Sequence, residues 1–346
     1  MRKRILWAAI TLCLSVLTLL ALFHNGDLSP AELWQDLREA SLRWLLAAAS
    51  CMLGFIFFEG RSLVLILRTL GYPARKRRGF LYAAADIYFS SITPSATGGQ
   101  PASAYFMHKD GIAGSAVMVS LILNLTMYTL AIVTLGLLSF ILFPDVFMAF
   151  NAACKLMIMA GVMVMLLLAV LFIVLLKKQS FLLHACDIIV SLLARLRFRS
   201  AARRLRKKLY GAIERYNECA EAVAGRKRLL VKTYLLNLLQ RTAHILVTVC
   251  CYYAMHGRHA DGPRLFAIQT YVVLGSNFIP VPGAVGISEY IMYFGYLMLL
   301  DGESSYTLAL LSRGMTFYTC CAISILTVLL GYAQLKLTEK KGGVIK

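Results

Sequence analysis

Six stretches of this sequence, residues 5–23, 42–67, 114–142, 152–176, 229–256 and 305–335, run with few charges for about twenty residues or more, the length that matches a bilayer's hydrocarbon core. In lipid every backbone polar group must be satisfied within its own segment, so each run is expected to form a spanning helix. Composition agrees: of 346 residues 59% are hydrophobic and only 15% charged. The expected fold is an all-α polytopic membrane bundle, a single transmembrane domain over residues 1–346. The first run follows Met1-Arg2-Lys3-Arg4 like a signal peptide but lacks a small-x-small cleavage site, and reads as a retained span.

A net charge of +19 would suit nucleic acid in a soluble protein, but in a membrane protein the placement of charge carries the information. With the runs taken as crossings, 27 of the 36 Lys and Arg fall in one set of connecting segments. Four (Arg38, Arg43, Arg258, Arg264) fall in the other set and five within runs. The basic set is therefore expected inside, with both termini, in a multi-pass protein of the cytoplasmic membrane. Residues 177–228 hold 14 Lys and Arg and are expected as an amphipathic cytoplasmic or interfacial segment. Those charges either meet anionic headgroups or serve only as a topology signal. Nine cysteines show no C-x-x-C pair and no metal spacing, so no metal or cofactor is expected.

Two windows break the helical pattern. Thr93-Pro94-Ser95-Ala96-Thr97-Gly98-Gly99-Gln100-Pro101 places two prolines and two glycines in nine residues, and Pro280-Val281-Pro282-Gly283-Ala284-Val285-Gly286-Ile287-Ser288 repeats the composition. Proline removes a backbone donor and glycine permits positive φ; backbone freed in this way is tolerated at bilayer depth only where it lines a protein-enclosed cavity. Charge counting makes residues 80–112 begin and end inside and residues 265–300 begin and end outside. The expectation is six full spans plus two re-entrant hairpins, one from each face, as an inverted repeat whose binding site lies where they meet.

Ionisable side chains at depth are the functional candidates, because each costs about 2.5–3.5 kcal/mol there. They are Glu59, Arg61, Asp86, Arg241, His244, Glu289 and Arg313, with Lys232 near enough to a helix end to snorkel. One reading is a structural ion-pair network. The other is an anion site in which half-helices starting after Gly98-Gly99 and at Gly283 and Gly286 aim their N–H groups inward. Arg61, Arg241 and Arg313 would then read phosphate bidentately, with Glu289 beside them. Thr93, Ser95, Thr97, Gln100, Asn277 and Ser288 supply neutral hydrogen bonds. Glu59, Asp86 and Glu289 are the acids available to carry a coupling proton. Tyr88, Tyr105 and Tyr290 flank the breaks as packing residues. No G-x-S-x-G, H-E-x-x-H or P-loop occurs, so no catalytic residue is expected, and His108 beside Lys109-Asp110 reads as a solvated loop.

At the two breaks, through Ala104-Tyr105 after the first and Glu289 after the second, the chain resembles the membrane domain of the lysylphosphatidylglycerol synthase family, also called flippase-like proteins. Glu59-Gly60-Arg61, Leu70-Gly71 and Arg313 add supporting matches, and the resemblance covers nearly the whole chain. It implies a bundle with two re-entrant hairpins, movement of an aminoacylated phospholipid such as lysyl-phosphatidylglycerol or a related lipid between leaflets, and Arg61, Glu289 and Arg313 as cavity residues. Many relatives carry Gly-Gly-Glu-x-x-Arg where this chain has Gly98-Gly99-Gln100-Pro101-Ala102-Ser103, and Ala284 and Ser288 replace a frequent Gly and Arg. Those departures leave the headgroup open. No soluble aminoacyltransferase domain is expected, so lysyl transfer is expected only with a separate aminoacyltransferase as partner. Two alternatives are the membrane component of a phosphatidylglycerol lysyltransferase, linked to cationic peptide resistance, and an inner-leaflet scaffold. The other expected partners are a membrane phospholipid and a second copy of the chain, with no nucleic acid.

Overall fold

In the computed structural model the described residues are 38–93, 97–177, 199–277, 279, 284 and 286–342. The expected first span at 5–23, residues 178–198 of the basic segment, and the site candidates Ser95 and Gly283 lie outside them. The regular elements among the described residues are all helical: α1 (Leu42–Thr69), α2 (Lys76–Ser91), α3 (Gly99–Lys109), α4 (Gly114–Leu142), α5 (Pro144–Ala149), α6 (Ala152–Lys177), α7 (Arg199–Ala224), α8 (Lys227–Ala254), α9 (Gly262–Ser276), α10 (Ile287–Tyr296), α11 (Gly302–Arg313) and α12 (Cys320–Gly342). A six-residue π-helical turn, Gly314–Thr319, joins α11 to α12.

Among the described residues four helices are long and apolar enough to cross a membrane: α1, α4, α6 and the rod Gly302–Gln334. The fifth expected span, 229–256, does form a helix, α8, of the same 28-residue length as α1. Asn237, Gln240, Arg241 and His244 keep α8 out of that apolar set, and Asn237, Gln240 and Arg241 are buried in the protein rather than turned toward lipid. The opposite case is α6, with a mean hydropathy of 3.1, whose Leu156, Met163, Leu167 and Val170 are all exposed.

The antiparallel pair α1 and α8 forms the spine, and it fixes the two ends of the bundle. At one end Ser41 N donates to Ala254 O at 2.8 Å, Tyr271 Oη donates to Phe143 O at 3.3 Å, and Arg264 pairs with Asp145. At the other end Arg226 Nη1 donates to Thr69 O, Arg68 Nε to Ala74 O, and Tyr216 Oη on α7 to Leu175 O. The basic residues Arg75–Arg78, Lys109, Lys177 and Arg226–Arg228 gather at this second end.

Each broken segment folds into an antiparallel helical hairpin. In α2–α3, Arg78 at the start pairs with Asp110 just past the end, and the Tyr82 hydroxyl donates to the same carboxylate. In α9–α10, Tyr296 Oη donates to Gln269 Oε1 at 2.7 Å, and Gly275 lies against Ile291. The base of α2–α3 lies at the basic end and the base of α9–α10 at the opposite end, so the two hairpins enter from opposite ends and their tips converge. The approach of α2 to α1 depends on Gly60 and Gly79, where a methyl on either residue would collide with the backbone of the other. The helical hairpins begin four and three residues before the 80–112 and 265–300 limits read from sequence, because the basic run Lys76–Arg78 forms the first turn of α2 and Gly262-Pro263 that of α9, and they end inside those limits, at Lys109 and Tyr296.

Candidate functional site

Where the hairpin tips converge lies a cavity of about 660 Å³, within the range of about 300–1,000 Å³ common for small-molecule sites. Its walls are chemically divided. Val164, Met165, Leu168 and Phe172 of α6 form a wholly apolar side, while Glu59, Asp86, Gln100, Asn124, Arg241, His244, Asn277 and Arg313 bring polar groups in among the apolar residues of the other walls.

The first hairpin contributes a carboxylate held by neutral donors. Gln100 Nε2 donates to Asp86 Oδ2 at 2.7 Å and Ser90 Oγ to Asp86 Oδ1 at 3.1 Å. Gly99 allows this: any side chain there would strike Asp86 and Ser90. Thr93 closes the tip, its Oγ1 donating to Phe89 O and accepting from Gly98 N. Facing Asp86 from α1 is Glu59, which accepts from Gln240 Nε2 at 2.7 Å and has Asp86 and Arg241 as its charged neighbours.

Arg241, on α8, is 6% exposed, and its guanidinium lies between two rings, 4.0 Å from the centroid of Tyr128 and 4.8 Å from that of Phe55. Nη1 donates to Tyr128 Oη at 3.3 Å, and Nε has no acceptor. Among the described residues no carboxylate comes within ion-pair distance, 4.0 Å, of Arg241. One turn along α8, His244 Nδ1 is also buried without a partner. The Tyr128 hydroxyl in turn accepts from Asn277 Nδ2 at 2.9 Å, which ties α4 to the C-cap of α9.

The second hairpin contributes a neutralised cation. Glu289 Oε1 accepts from Arg313 Nε at 2.6 Å, while Oε2 accepts from Gly286 N at 2.7 Å and Ser288 Oγ at 2.8 Å. Glu289 therefore caps α10 and holds Arg313 with the same group. Gly286 sits at φ 90°, a left-handed conformation that only glycine adopts cheaply. The π turn directly after Arg313 places Thr316 and Phe317 on the cavity wall, and π turns inside helices are frequent at functional sites.

The residues singled out from sequence thus separate. Glu59, Asp86, Gln100, Arg241, His244, Asn277 and Arg313 line the cavity together. Glu289 and Ser288 stand behind it as supports of Arg313 and of the α10 start. Thr93, Gly98 and Gly99 shape the first tip rather than the cavity wall, as Gly286 does the second, and Thr97 is likewise absent from the lining. Arg61 lies off the cavity on α1, half-buried. Sequence reading missed Tyr128, Phe55 and Gln240, although Gln240 beside Arg241 in a 28-residue helix was a visible signal. It also missed the buried cluster in which Ser62 Oγ donates to Asn124 Oδ1 at 2.6 Å and Asn237 Nδ2 to Ser62 Oγ at 3.1 Å, joining α1, α4 and α8.

Among the described residues the chain is all-helical, with helices long and apolar enough to cross a membrane and a cavity between two opposed hairpins. The model of the lysylphosphatidylglycerol synthase TM region family matches residues 6–324, and the chain belongs to that family. Membership makes it a membrane protein linked to lysyl-phosphatidylglycerol metabolism. No curated protein and no solved structure matches it.

Proposed function

We propose that the protein moves a phosphate-bearing lipid, an aminoacylated phospholipid such as lysyl-phosphatidylglycerol or a relative of it, between leaflets through this cavity. The observation that carries the reading is Arg241: a buried guanidinium with no carboxylate in ion-pair range, beside two carboxyls, in one cavity. Leaving a charge unpaired at depth is costly, and a ligand bearing both a phosphate and an ammonium would complete both sets of partners. Arg241 supplies the phosphate seat and Glu59 with Asp86 the ammonium seat; Arg313, already neutralised, contributes polarity rather than net charge. The apolar α6 wall receives the root of the acyl chains. In this reading α2–α3 and α9–α10 are re-entrant hairpins in a six-span bundle, and the basic end faces the cytoplasm with both termini.

The test is scrambling of fluorescent lysyl-phosphatidylglycerol and plain phosphatidylglycerol in proteoliposomes, for wild type beside Arg241→Ala and Asp86→Asn. Movement above empty liposomes, lost in Arg241→Ala at unchanged folded yield, is the expected result. A wild-type protein that moves neither lipid would overturn the proposal for these substrates and leave the membrane component of a lysyltransferase as the reading to pursue.

A further inference from the structure

We propose that Glu59 and Asp86 share one exchangeable proton which an ammonium of an entering lysyl lipid displaces, so that the protein exchanges a cationic lipid headgroup for a proton. The inference rests on the cavity being the lipid path proposed above.

Two carboxyls in hydrogen-bond contact cannot both be ionised cheaply, because like charges so close repel and neither oxygen then has a proton to give. Glu59 on α1 and Asp86 on α2 make such a contact, at 6% and 8% exposure. Their other partners decide where the proton sits. Asp86 has a donor on each oxygen, Gln100 Nε2 from α3 and Ser90 Oγ from α2, whereas Glu59 accepts from Gln240 Nε2 of α8 on Oε2. Among the described residues no donor meets Glu59 Oε1, so the proton belongs there and is donated to Asp86. The remaining charged or titratable neighbours of the pair are Arg241 from α8 and Cys320 from α12.

Charge balance gives the proton its role. Sharing one proton, the pair carries a single negative charge, which offsets the single positive charge of Arg241, while Arg313 is offset by Glu289. His244 adds none, because an imidazolium would leave Nδ1–H buried without an acceptor. Tyr128, Cys320 and Cys321, the other titratable side chains on the wall, are an uncharged phenol and thiols. A lysyl ester of phosphatidylglycerol carries two ammoniums against one phosphate. If the pair kept its proton, that lipid would bring one uncompensated positive charge into a buried site, which is costly. Losing the proton restores the balance. The Glu59 Oε1–H bond breaks, the proton passes to water on the side from which the lipid entered, and ammonium N–H groups donate to both carboxylates in its place. When the lipid leaves toward the other side, the pair takes up a proton from there. One lipid and one proton thus cross in opposite directions. Phosphatidylglycerol, with no ammonium, has nothing to displace the proton with.

The experiment reconstitutes the full chain in liposomes with an acidic interior and the membrane potential clamped by potassium and valinomycin. The probes are fluorescent lysyl-phosphatidylglycerol and phosphatidylglycerol. Wild type should enrich the lysyl lipid severalfold in the inner leaflet and should not enrich phosphatidylglycerol there, and collapsing the gradient should equalise the leaflets. Glu59→Gln and Asp86→Asn keep the shape of the pair and one negative charge but no exchangeable proton, and should abolish the enrichment. Infrared spectra of the full chain in detergent give a readout independent of transport. A protonated-carboxyl band should be present at neutral pH, be lost in Glu59→Gln, and be lost on adding dihexanoyl lysyl-phosphatidylglycerol but not dihexanoyl phosphatidylglycerol. Wild type that moves the lysyl lipid yet leaves the leaflets equal under the gradient, or enriches both lipids alike, would overturn the exchange while leaving lipid movement standing. Enrichment retained in both variants would overturn the role of this pair. A missing band, or one that the lysyl lipid leaves unchanged, would overturn the shared proton whatever the transport arm shows. Movement of neither lipid would overturn the function proposed above, and the exchange with it.

Discussion

The two hairpins have the same composition and opposite electrostatics. Both present a Pro/Gly break at the tip and a carboxylate close to it. In the first, Asp86 is held by a side-chain amide and a hydroxyl and faces Glu59 and the cavity. In the second, Glu289 is spent on a helix start and on Arg313, and does not reach the cavity wall. The difference shows that a charge conspicuous in the sequence is not thereby a ligand-facing charge. A carboxylate with a cation at 2.6 Å is structurally committed, whereas Asp86 has no cation within ion-pair distance among the described residues.

The largest expected effect separates those roles. Glu289→Gln leaves Arg313 buried without its counter-ion, and removing one partner of a buried pair costs about 3–5 kcal/mol. Asp86→Asn keeps the shape and part of the hydrogen bonding, so about 1 kcal/mol is expected. Thermal unfolding in detergent should therefore show a large drop for the first and a small one for the second, while lipid movement responds to Asp86→Asn far beyond its stability loss. Equal drops would break the comparison.

Next in size is Arg241→Lys. A lysine retains the charge but loses the ring-stacked plane and the fork, so the loss in phosphate binding should approach that of a charged hydrogen bond, about 1.5–3 kcal/mol, or roughly ten- to a hundredfold. Lipid transport and headgroup binding should fall together, with unfolding temperature little changed. Arg313→Lys, whose partner is a carboxylate of its own chain, should leave headgroup affinity nearly intact. A reversed ranking would return Arg313 to the role that the family resemblance implied for it.

These contrasts also mark what the sequence made legible. Membrane class and the two helix breaks followed from run length and from Pro and Gly, because bilayer depth penalises any backbone group left unpaired. Arg241 and Asp86 were found for the same reason, as charges at depth. The sorting of Glu289 and Arg61 away from the cavity was not legible. Helical spacing places a side chain on a face, but whether that face meets a cavity, a counter-ion or a neighbour depends on helices far away in sequence. Tyr128 illustrates the limit: in an apolar run it reads as packing, and only the arrival of Arg241 from 113 residues away and Asn277 from 149 gives its hydroxyl a role.

A smaller effect tests how the first tip is built. Gly99→Ala places a methyl onto Asp86 and Ser90, and overpacking of this kind costs about 1–3 kcal/mol. Gly286→Ala acts differently, through φ 90° with open space around the position, and costs about 1–2 kcal/mol of backbone strain without touching the cavity. The two variants should therefore match in stability and diverge in lipid movement, with Gly99→Ala the more impaired. Equal activity would mean that the tip of the first hairpin does not set the position of Asp86.

The smallest effect lies at the start of α11, the helix that delivers Arg313 to the second hairpin. Asp301 caps α11 by accepting from Ser304 N at 2.8 Å, and that N–H holds the carboxyl below its usual pKa. Replacing a capping Asp by Ala costs about 1 kcal/mol. A depressed folded pKa means that the cap's stabilisation is fully present above the unfolded value of about 3.9 and is lost as the pH falls through the lower folded value. Asp301→Ala should therefore lower the unfolding temperature at pH 7 and converge with wild type in strong acid. Because Arg313 lies at the far end of the same helix and is anchored by Glu289 rather than by the cap, lipid movement by this variant should equal that of wild type. A loss of movement would show that the Glu289–Arg313 pair depends on the whole of α11, and the second hairpin would then be no more self-supporting than the first.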